Sequence, residues 1–393
     1  MGHKNDHDSA NPPCGYADEA PFTWSGKGHE FTFYPAGSDR LSALIEHIES
    51  AQTSLHLFYY MFQDDRSGNK VLDALVAAAK RGVEVHLIVD AFGSDPQEDF
   101  FAPIIEAGGR FSTFSPRWNV RFLIRNHQKF AIVDKTKVMT GGSNVSDHYF
   151  ASPEDNGWCD LGVSITGPVV ERFYAWFDCL CDWVEGSGSQ LRRLRRMIRC
   201  WEPGNDGVEL LVGGPSVRLY GWAHRLRADL RKARKVDQVS AYFTPPSSIR
   251  RKLRQVARRG ELRMITAGKS DIDATIAAAR LHYKSFLKAG AQIAEFRACK
   301  LHMKLMIVDD ACYFGSANMD KRSWRVNVEL MVRVEDADLA QRMRGFIDHV
   351  ESGAEPITRE WHARHATKLA RFKWRAAYAL AMLDYWLSRR LNR

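Results

Sequence analysis

The chain repeats long stretches of its own sequence, and this internal duplication constrains its fold more than any other feature. The stretch AAAKRGVEVHLIVD, residues 77–90, is echoed by QVARRGELRMITAG, residues 255–268. IIEAGGRFSTF at 104–114 is likewise echoed by FLKAGAQIAEF at 286–296. Because the offset between the copies stays nearly constant, the sequence predicts two similar halves with small differences in their loops.

Within each half, short β-rich runs alternate with helical patterns, as in SLHLFYYMF followed by the amphipathic NKVLDALVAAAKRG. This alternation is typical of βαβ units. The sequence therefore predicts an α/β fold of two duplicated domains, each a mostly parallel mixed sheet flanked by helices, related by a pseudo-two-fold axis. The predicted segments are a disordered N-terminus (1–17), a first domain (18–185), a basic linker (186–207), a second domain (208–355) and a basic amphipathic C-terminal helix (356–393).

Composition narrows the setting of the chain without choosing its partner. Its 393 residues, 45% of them hydrophobic, suffice for two globular cores. A formal net charge of +9 suits anionic partners, either membrane surfaces or nucleic acid. The seven cysteines show no Cys-x-x-Cys spacing, so the sequence indicates neither a disulfide framework nor a zinc-thiolate site. A reducing compartment is therefore expected. No apolar stretch is long enough to span a membrane, so we expect a soluble or peripheral protein.

A third echo carries the residues best suited to chemistry. RNHQKFAIVDKTKVMTGGSN, residues 125–144, is repeated as KLHMKLMIVDDACYFGSAN, residues 300–318. Both copies contain His-x-Lys-x4-Asp, as His127, Lys129 and Asp134, and again as His302, Lys304 and Asp309. Residues two apart on a strand face the same side, so each His and Lys can contact one ligand together. The aspartates have the opposite parity, and we expect them to pair or cap behind the site.

These residue types suit attack at a phosphodiester. One neutral imidazole can attack phosphorus while the other, protonated, donates a proton to the departing alcohol oxygen. The two lysines, with Asn144 and Asn318 from the turns after the motifs, would stabilise charge on the non-bridging oxygens. Attack and departure lie on opposite sides of phosphorus, so both motif copies are needed in one shared site. This chemistry requires no metal and no other cofactor.

Small-residue turns and two carboxylates complete the predicted site. Gly142 and Ser316 lie in turns that would bring backbone N–H groups close to an anion. A working imidazole also needs an acceptor for its second nitrogen, usually a carboxylate. Asp160 in NGWCDLGVSI and Glu329 in RVNVELMVRV follow the two motifs at similar distances, so we expect these two residues to orient the histidines.

With these residues in view, the sequence resembles the phospholipase D superfamily, and more closely its bacterial cardiolipin synthase branch, from about Phe31 to its end. The resemblance lies in GSANMDKRSWRVNVEL after the second motif, and in LFYYMFQDDRSGNKVLDALVAAAKRGVEVHLIVD and GWCDLGVSITGPVV in the first half. It implies two phospholipase D-like domains and a phosphatidyl-histidine intermediate on His127, with His302 as general acid and later base. The residues alone do not distinguish which histidine attacks.

The resemblance also implies a substrate and an acceptor. A phosphatidyl group would pass to the hydroxyl of phosphatidylglycerol or of another alcohol, with phosphatidylethanolamine or cardiolipin as further substrates. Asp320, Arg322 and Ser323 match the extended signature of the branch and are expected to contact substrate, although they could equally tie a loop together. Better-known members begin with two transmembrane helices, so the chain is more similar to the short, peripheral type.

The C-terminal region is the predicted membrane contact. From 358 to 393, nine Lys and Arg residues stand against two acidic ones, Glu360 and Asp384. Apolar residues recur there at helical spacing: Trp361, Leu369, Phe372, Ala376, Leu380, Leu383 and Leu387. We expect an interfacial helix on an anionic membrane, with packing on the protein's own core as the alternative. The expected location is cytoplasmic, peripherally associated with the inner membrane of a bacterium. The sequence does not indicate the oligomeric state.

Two other function classes remain open. A hydrolase of phospholipid or nucleic acid would use the same two histidines and finish with water in place of a lipid hydroxyl. Nucleic acid is not the expected partner, because the chain shows no stretch of clustered aromatic and basic residues for stacking bases. A lipid-binding module without activity is the third class, but His, Lys and Asn are intact in both copies of the motif.

Overall fold

A computed structural model describes residues 15–94, 98–115, 124–186, 190–215 and 220–391. The first half contains, in chain order, β1 (Phe22–Gly26), β2 (His29–Tyr34), α1 (Gly37–Ser50), β3 (Ser54–Tyr59), α2 (Arg66–Lys80), β4 (Glu84–Asp90), α3 (Ala91–Ser94), α4 (Glu98–Glu106), β5 (Arg110–Phe114), β6 (Lys129–Val133), β7 (Lys137–Gly141), α5 (Asp147–Phe150), β8 (Trp158–Cys159), β9 (Gly162–Thr166), α6 (Val169–Glu185) and α7 (Gln190–Cys200).

The second half continues with β10 (Val208–Gly213), α8 (Gly221–Lys232), β11 (Lys235–Ser240), β12 (Phe243–Thr244), α9 (Ser247–Arg259), β13 (Glu261–Ala267), α10 (Asp273–Ala289), β14 (Gln292–Phe296), β15 (Lys300–Leu301), β16 (Lys304–Val308), β17 (Ala311–Gly315), β18 (Met319–Asp320), α11 (Lys321–Arg325), β19 (Glu329–Glu335), α12 (Ala337–Ser352), β20 (Ala354–Pro356), α13 (Arg359–His365) and α14 (Lys368–Leu391).

Each half builds one eight-stranded sheet. The strand order is β1-β2-β9-β7-β6-β3-β4-β5 in the first sheet and β10-β19-β17-β16-β11-β13-β14-β20 in the second. Seven consecutive strands, from β2 to β5 in one sheet and from β10 to β14 in the other, correspond in order. The repeated order confirms the predicted α/β duplication.

The expectation that each sheet is mostly parallel was wrong. In the first sheet the parallel pairings are β3 with β4 and β4 with β5, and in the second they are β11 with β13 and β13 with β14. The other described pairings of the two large sheets are antiparallel. Helical crossovers such as α2 allow parallel neighbours, whereas the tight turns from β6 to β7 and from β16 to β17 force hairpins.

A shared core joins the two sheets. It contains α6 and α12 between the sheets, with Trp176 and Phe346 among their buried side chains. Phe33 of the first sheet and Phe314 of the second meet edge to face, with ring centroids 5.5 Å apart. Helices α1 and α2 cover the outer side of the first sheet, and α8, α9 and α10 cover that of the second. The resulting layers hold the two halves in one fixed arrangement, with the motif strands β6 and β16 inside it.

Two predicted segments are more structured than expected where the structure describes them. Of the segment expected to be disordered, residues 1–14 lie outside the described part, but Tyr16 packs edge-on against Phe296 with centroids 5.1 Å apart. In the predicted basic linker, α7 buries Leu194 and Ile198 in the shared core and leaves its arginines outside. The linker is therefore partly a docked helix.

The basic C-terminal region forms two helices where one was expected, because the chain breaks at Ala366 and Thr367. Trp361 lies on α13 and is buried, so it does not belong to the exposed stripe. Helix α14 docks on α10 through a face that includes the buried Trp374 and Ala377. The described side chains of the predicted stripe on α14 are all exposed: Leu369, Phe372, Ala376, Leu380 and Leu383. The side chains of Asp384 and Leu387 lie outside the described ones.

Within the part of the chain that the structure describes, no helix combines the length and apolar character that crossing a bilayer requires.

Candidate active site

One cavity, of about 460 Å³, brings the two motif histidines together. His127 and His302 lie two residues before the motif strands β6 and β16, and both line this cavity. Asn144 and Asn318, from the turns after β7 and β17, line it as well. The duplication thus supplies equivalent residues from both halves to a single space.

Backbone hydrogen bonds tie each motif to the opposite half. The N–H of His127 donates to the carbonyl of Val328 (2.8 Å), and the N–H of His302 donates to the carbonyl of Cys159 (2.8 Å). The short strands β8 and β15 extend the second contact as a parallel ladder. Val328 directly precedes Glu329, and Cys159 directly precedes Asp160. Each backbone contact therefore brings one of the predicted orienting carboxylates to the histidine of the other half.

The carboxylates are exchanged between the halves. His127 Nδ1 lies 3.2 Å from Glu329 Oε2, and His302 Nδ1 lies 2.7 Å from Asp160 Oδ2. Both carboxylates are fully buried or nearly so. Each histidine is therefore held by a carboxylate from the other half, and the two pairings are reciprocal.

A hydroxyl network holds Glu329. Ser316 Oγ donates to Glu329 Oε2 (2.5 Å), while Ser323 Oγ (2.7 Å) and the amide of Asn327 (3.3 Å) donate to Oε1. Ser316 and Ser323 were expected to contact substrate. The structure places both hydroxyls on the carboxylate behind His127, which is buried with them.

Asp160 is the counterpart of Glu329 beside His302, and its shorter side chain lies against Gly142. Its Oδ1 accepts from the N–H of Leu161 (2.8 Å), and Ser143 Oγ lies 3.4 Å from Oδ2. A Cβ at Gly142 would lie 2.4 Å from Oδ1, so this glycine leaves the space that the carboxylate fills. Gly142 was expected to bind substrate, but the structure places it against Asp160.

The motif lysines lie behind the cavity wall. Lys129 Nζ donates to the carbonyl of His127 (2.6 Å), and Lys304 Nζ donates to the carbonyl of His302. Lys304 Nζ also lies 2.7 Å from His302 Nδ1. Burial lowers the pKa of Lys129 to about 7 and that of Lys304 to about 8.

Both imidazoles are neutral at physiological pH. Burial, reinforced by the charge of Lys129, lowers the pKa of His127 to about 4, against the opposing effect of Glu329. Burial and the charge of Lys304 lower the pKa of His302 to about 3, against the effect of Asp160. Burial by itself would raise the pKa of both carboxyl groups, but their cationic and imidazole neighbours hold these pKa values below the ordinary ones.

The two asparagines differ in their surroundings. The side chain of Asn144 accepts from the N–H of Met61 (3.2 Å) and donates to the hydroxyl of Tyr149 (2.7 Å). Asn318 Oδ1, although buried, has no hydrogen-bond partner among the described residues. This free oxygen at the cavity wall is suited to accept a hydrogen bond from a ligand.

The motif aspartates lie away from the imidazoles. Asp134 accepts from the backbone N–H of Thr53 (2.7 Å) and of Ser54 (2.9 Å), at the start of β3. Asp309 accepts from the N–H of Arg234 (2.9 Å) and of Lys235 (2.8 Å), at the start of β11. Both aspartates join the end of a motif strand to its neighbour.

The remaining predicted residues Asp320 and Arg322 line the cavity. Asp320 also caps α11 by accepting from the N–H of Ser323 (2.8 Å), and burial raises its pKa to about 6. Their place on the wall is consistent with the expected substrate contact.

Several residues around the site were missed by the sequence reasoning. The ring of Tyr60 lies 4.9 Å from that of His127, and the rings of Tyr149 and Trp158 each lie 5.0 Å from that of His302. Arg40, fully buried, donates to the carbonyls of Tyr149 (2.8 Å), Trp158 (3.0 Å) and Asp160 (2.8 Å). The position of Tyr60 just after β3 was a usable signal, whereas nothing in the sequence around Arg40 marked it.

Comparison with known families gives a match over most of the chain. Residues 44–180 and 226–350 match a family profile described as "Cardiolipin synthase, PLD-like domain". Cardiolipin synthase 2 of Bacillus anthracis is 29% identical over 84% of the chain and 66% of the relative. The major cardiolipin synthase ClsA of Bacillus subtilis is 29% identical over 78% of the chain and 66% of the relative. The chain thus spans just under two thirds of the length of these relatives.

Solved structures show the same fold at low sequence identity. A phosphatidylserine synthase of Haemophilus influenzae superposes with a TM-score of 0.72 at 12% identity, covering 94% of the chain and 96% of that structure. A polyphosphate kinase of Porphyromonas gingivalis superposes with a TM-score of 0.56 at 14% identity, covering 90% and 53%. These likenesses establish the duplicated fold.

Proposed function

Because the chain belongs to the cardiolipin synthase family of phospholipase D-like proteins, we propose that it is a phosphatidyltransferase acting on phospholipids. Its donor would be phosphatidylglycerol, phosphatidylethanolamine or cardiolipin, and its acceptor the hydroxyl of phosphatidylglycerol or of another alcohol. The observation that carries the proposal is the reciprocal pairing of His127 with Glu329 and of His302 with Asp160 beside one cavity.

His127 is the proposed nucleophile. Its Nδ1 lies near two acceptors, Glu329 Oε2 (3.2 Å) and the carbonyl of Ser316 (3.1 Å), so this nitrogen carries the proton. In a neutral imidazole the lone pair then resides on Nε2, which can attack phosphorus. With a pKa of about 4, the ring stays neutral and nucleophilic near pH 7.

His302 is the proposed general acid. Its Nδ1 lies equally close, at 2.7 Å, to an acceptor on Asp160 and to a donor, the ammonium of Lys304. Donation from Nδ1 to Asp160 stabilises the imidazolium form, whose second proton, on Nε2, can pass to the departing alcohol oxygen. The negative charge of a bound phosphodiester would raise the pKa of this imidazole and favour its protonated form.

The proposed reaction has two steps, formation of a phosphatidyl-histidine and transfer of the phosphatidyl group to the acceptor. In the first, Nε2 of His127 forms a bond to phosphorus, the bond from phosphorus to the leaving oxygen breaks, and His302 protonates that oxygen. In the second, His302 removes the proton of the acceptor hydroxyl, whose oxygen attacks phosphorus and displaces His127. The N–H donors of the Asn318 amide, at the cavity wall, and the charges of Lys129 and Lys304, behind it, would stabilise the negative charge on the non-bridging oxygens.

Helix α14 supports access from a lipid surface. Leu380 is 64% exposed and also lines the cavity wall, so apolar surface continues from the outside of the helix into the site. Leu369, Phe372 and Leu383 lie on the same face at helical spacing, and basic residues flank them. We propose peripheral binding to an anionic bacterial membrane, with the stripe among the acyl chains.

The activity test uses purified protein with radiolabelled phosphatidylglycerol, phosphatidylethanolamine and, separately, single-stranded DNA. Formation of diphosphatidylglycerol that is abolished in His127→Ala and in His302→Ala, but retained in the exposed control His148→Ala, is the expected result. Phosphatidic acid as the sole lipid product would show a hydrolase in place of a transferase. Cleavage of DNA without any lipid product would contradict a lipid substrate.

A further inference from the structure

A second cavity, of about 620 Å³, lies between α10, α13 and α14. In the described part of the chain, it shares no lining residue with the cavity that holds the histidines. Leu287, Ala366 and Trp374, all buried, contribute apolar surface to its wall. The cavity is thus a separate space with an apolar base.

The rim of this cavity carries an unbalanced positive charge. Five cationic side chains line it: Lys284, Lys288, Arg359, Arg371 and Arg375. Its described wall contains no acidic side chain, and in the described structure none of the five lies within 4.0 Å of a carboxylate. Arg359 and Arg371 donate to the backbone carbonyls of Leu287 and Ala366, which fixes their positions without neutralising them.

A buried imidazole on the wall has unused bonding capacity. His362 is only 8% exposed, and its Nε2 has no hydrogen-bond partner among the described residues. A buried polar atom without a partner costs roughly 1–3 kcal/mol, so such an atom at a cavity wall indicates a ligand that bonds it. Burial lowers the pKa of His362, the backbone carbonyl of Arg280 near the ring opposes this, and the charges of Arg371 and Lys284 reinforce it; a bound anion would add to the opposing effect.

From the five cations and the unpartnered imidazole, we infer that this cavity binds a phosphate group at a site separate from catalysis. The phosphate belongs either to an anionic lipid headgroup or to a free phosphate. Arginine and lysine are the side chains best suited to phosphate oxygens, and protonated His362 would donate a further hydrogen bond. Phosphate binding in this cavity does not depend on the transferase chemistry, because none of these residues lines the cavity of His127 and His302.

The test compares two double variants of the full chain that lose equal charge. Lys284→Gln/Arg375→Gln removes two cations from the cavity rim, and Lys70→Gln/Lys80→Gln removes two exposed cations of α2 in the first half. The ligands are inorganic phosphate, vesicles of phosphatidylcholine with phosphatidylglycerol, and vesicles of phosphatidylcholine alone. The ring resonances of His362 report occupancy of this cavity separately from the catalytic one.

We expect the rim variant to weaken binding at least tenfold and the control variant less than twofold. If the rim variant binds phosphatidylglycerol vesicles more weakly, the phosphate belongs to a lipid headgroup. If only its binding of inorganic phosphate is weaker, the phosphate belongs to a soluble ligand. Equal weakening in both variants, or an unchanged His362 resonance at saturation, would overturn the site. Lipid turnover in detergent should stay unchanged in the rim variant, so this result and that of the activity test are separable.

Discussion

Nδ1 of His127 lies 3.2 Å from Oε2 of Glu329, although the two residues belong to different halves of the chain. The reciprocal contact joins His302 to Asp160 at 2.7 Å. A single half therefore lacks the second histidine, and it also lacks the carboxylate that holds its own histidine. This exchange explains physically why the two copies form one indivisible site.

Replacement of Glu329 by Gln tests the pairing directly. Since the carboxylate holds the tautomer of His127, Glu329→Gln should lower kcat by about 100-fold to 10,000-fold while the protein stays folded. NMR of ring nitrogens should show the pKa of His127 falling below about 4, because the carboxylate opposes the effects of burial and of Lys129. Glu335→Gln, at a carboxylate that is 60% exposed, is the control. An unchanged kcat would show that Glu329 does not act through His127.

Gly142 provides a steric test of the second pairing. A methyl group there would lie 2.4 Å from Oδ1 and 2.6 Å from Oδ2 of Asp160, so Gly142→Ala should displace the carboxylate from His302. We expect a loss of kcat of at least about tenfold, in line with general acid–base contributions. Gly345→Ala is the matched control, since a methyl group there meets nothing within 4 Å. Equal activity of the two variants would contradict the role given to Gly142.

Arg40 should stabilise the fold as well as position Asp160. Its buried guanidinium donates to three carbonyls around the site, so Arg40→Met leaves those acceptors without their donor. Urea unfolding should show a loss of about 3 kcal/mol or more in the free energy of unfolding, since each buried carbonyl left without a donor costs about 1–3 kcal/mol. Arg66→Met, at an exposed ion pair with Asp147, should cost less than about 1 kcal/mol. Arg40→Met with unchanged stability would be inconsistent with this role.

Acid should destabilise the protein through histidines outside the site. Burial lowers the pKa of His47, His56 and His86 from 6.5 to about 4. The unfolded chain therefore binds protons at a higher pH than the folded one, so the free energy of unfolding is retained above pH 6.5 and falls as the pH drops towards 4. His47→Gln should reduce this fall by roughly 2–3 kcal/mol. His148→Gln, at an exposed position, should leave the decline unchanged; an unchanged decline in His47→Gln would contradict the assignment.

The exposed stripe of α14 predicts membrane partitioning. Leu369→Ser/Phe372→Ser should weaken binding to phosphatidylglycerol vesicles about tenfold or more, because each large apolar side chain contributes roughly 1.5–3 kcal/mol when buried. Turnover of detergent-dispersed lipid should be unchanged. Ile105→Ser, at an exposed residue of the first half, is the control for general loss of apolar surface. Full vesicle binding by the double variant would exclude the stripe as the membrane contact.

The duplication and the motif spacing were sufficient to predict the α/β fold and to nominate His127 and His302. Local pattern could not show that Glu329 lies beside His127, because that contact depends on how two distant halves pack. The sequence analysis also predicted too many parallel pairs. A buried strand has the same apolar pattern whether a hairpin or a helical crossover connects it to its neighbour, so the hairpins after β6 and β16 were not recognised. Arg40 was missed because a lone arginine in a helix ordinarily lies in solvent, and its burial follows from tertiary carbonyl contacts.

The most direct measurement is to trap the covalent intermediate and map it. A phosphatidyl ester of p-nitrophenol needs no general acid for departure, so His302→Ala should form the intermediate and, without its base, accumulate it. Peptide mass spectrometry of the quenched protein should place the phosphatidyl group on His127, with none in His127→Ala. A group on another residue, or none under conditions where p-nitrophenol is released in a burst, would contradict the proposed mechanism.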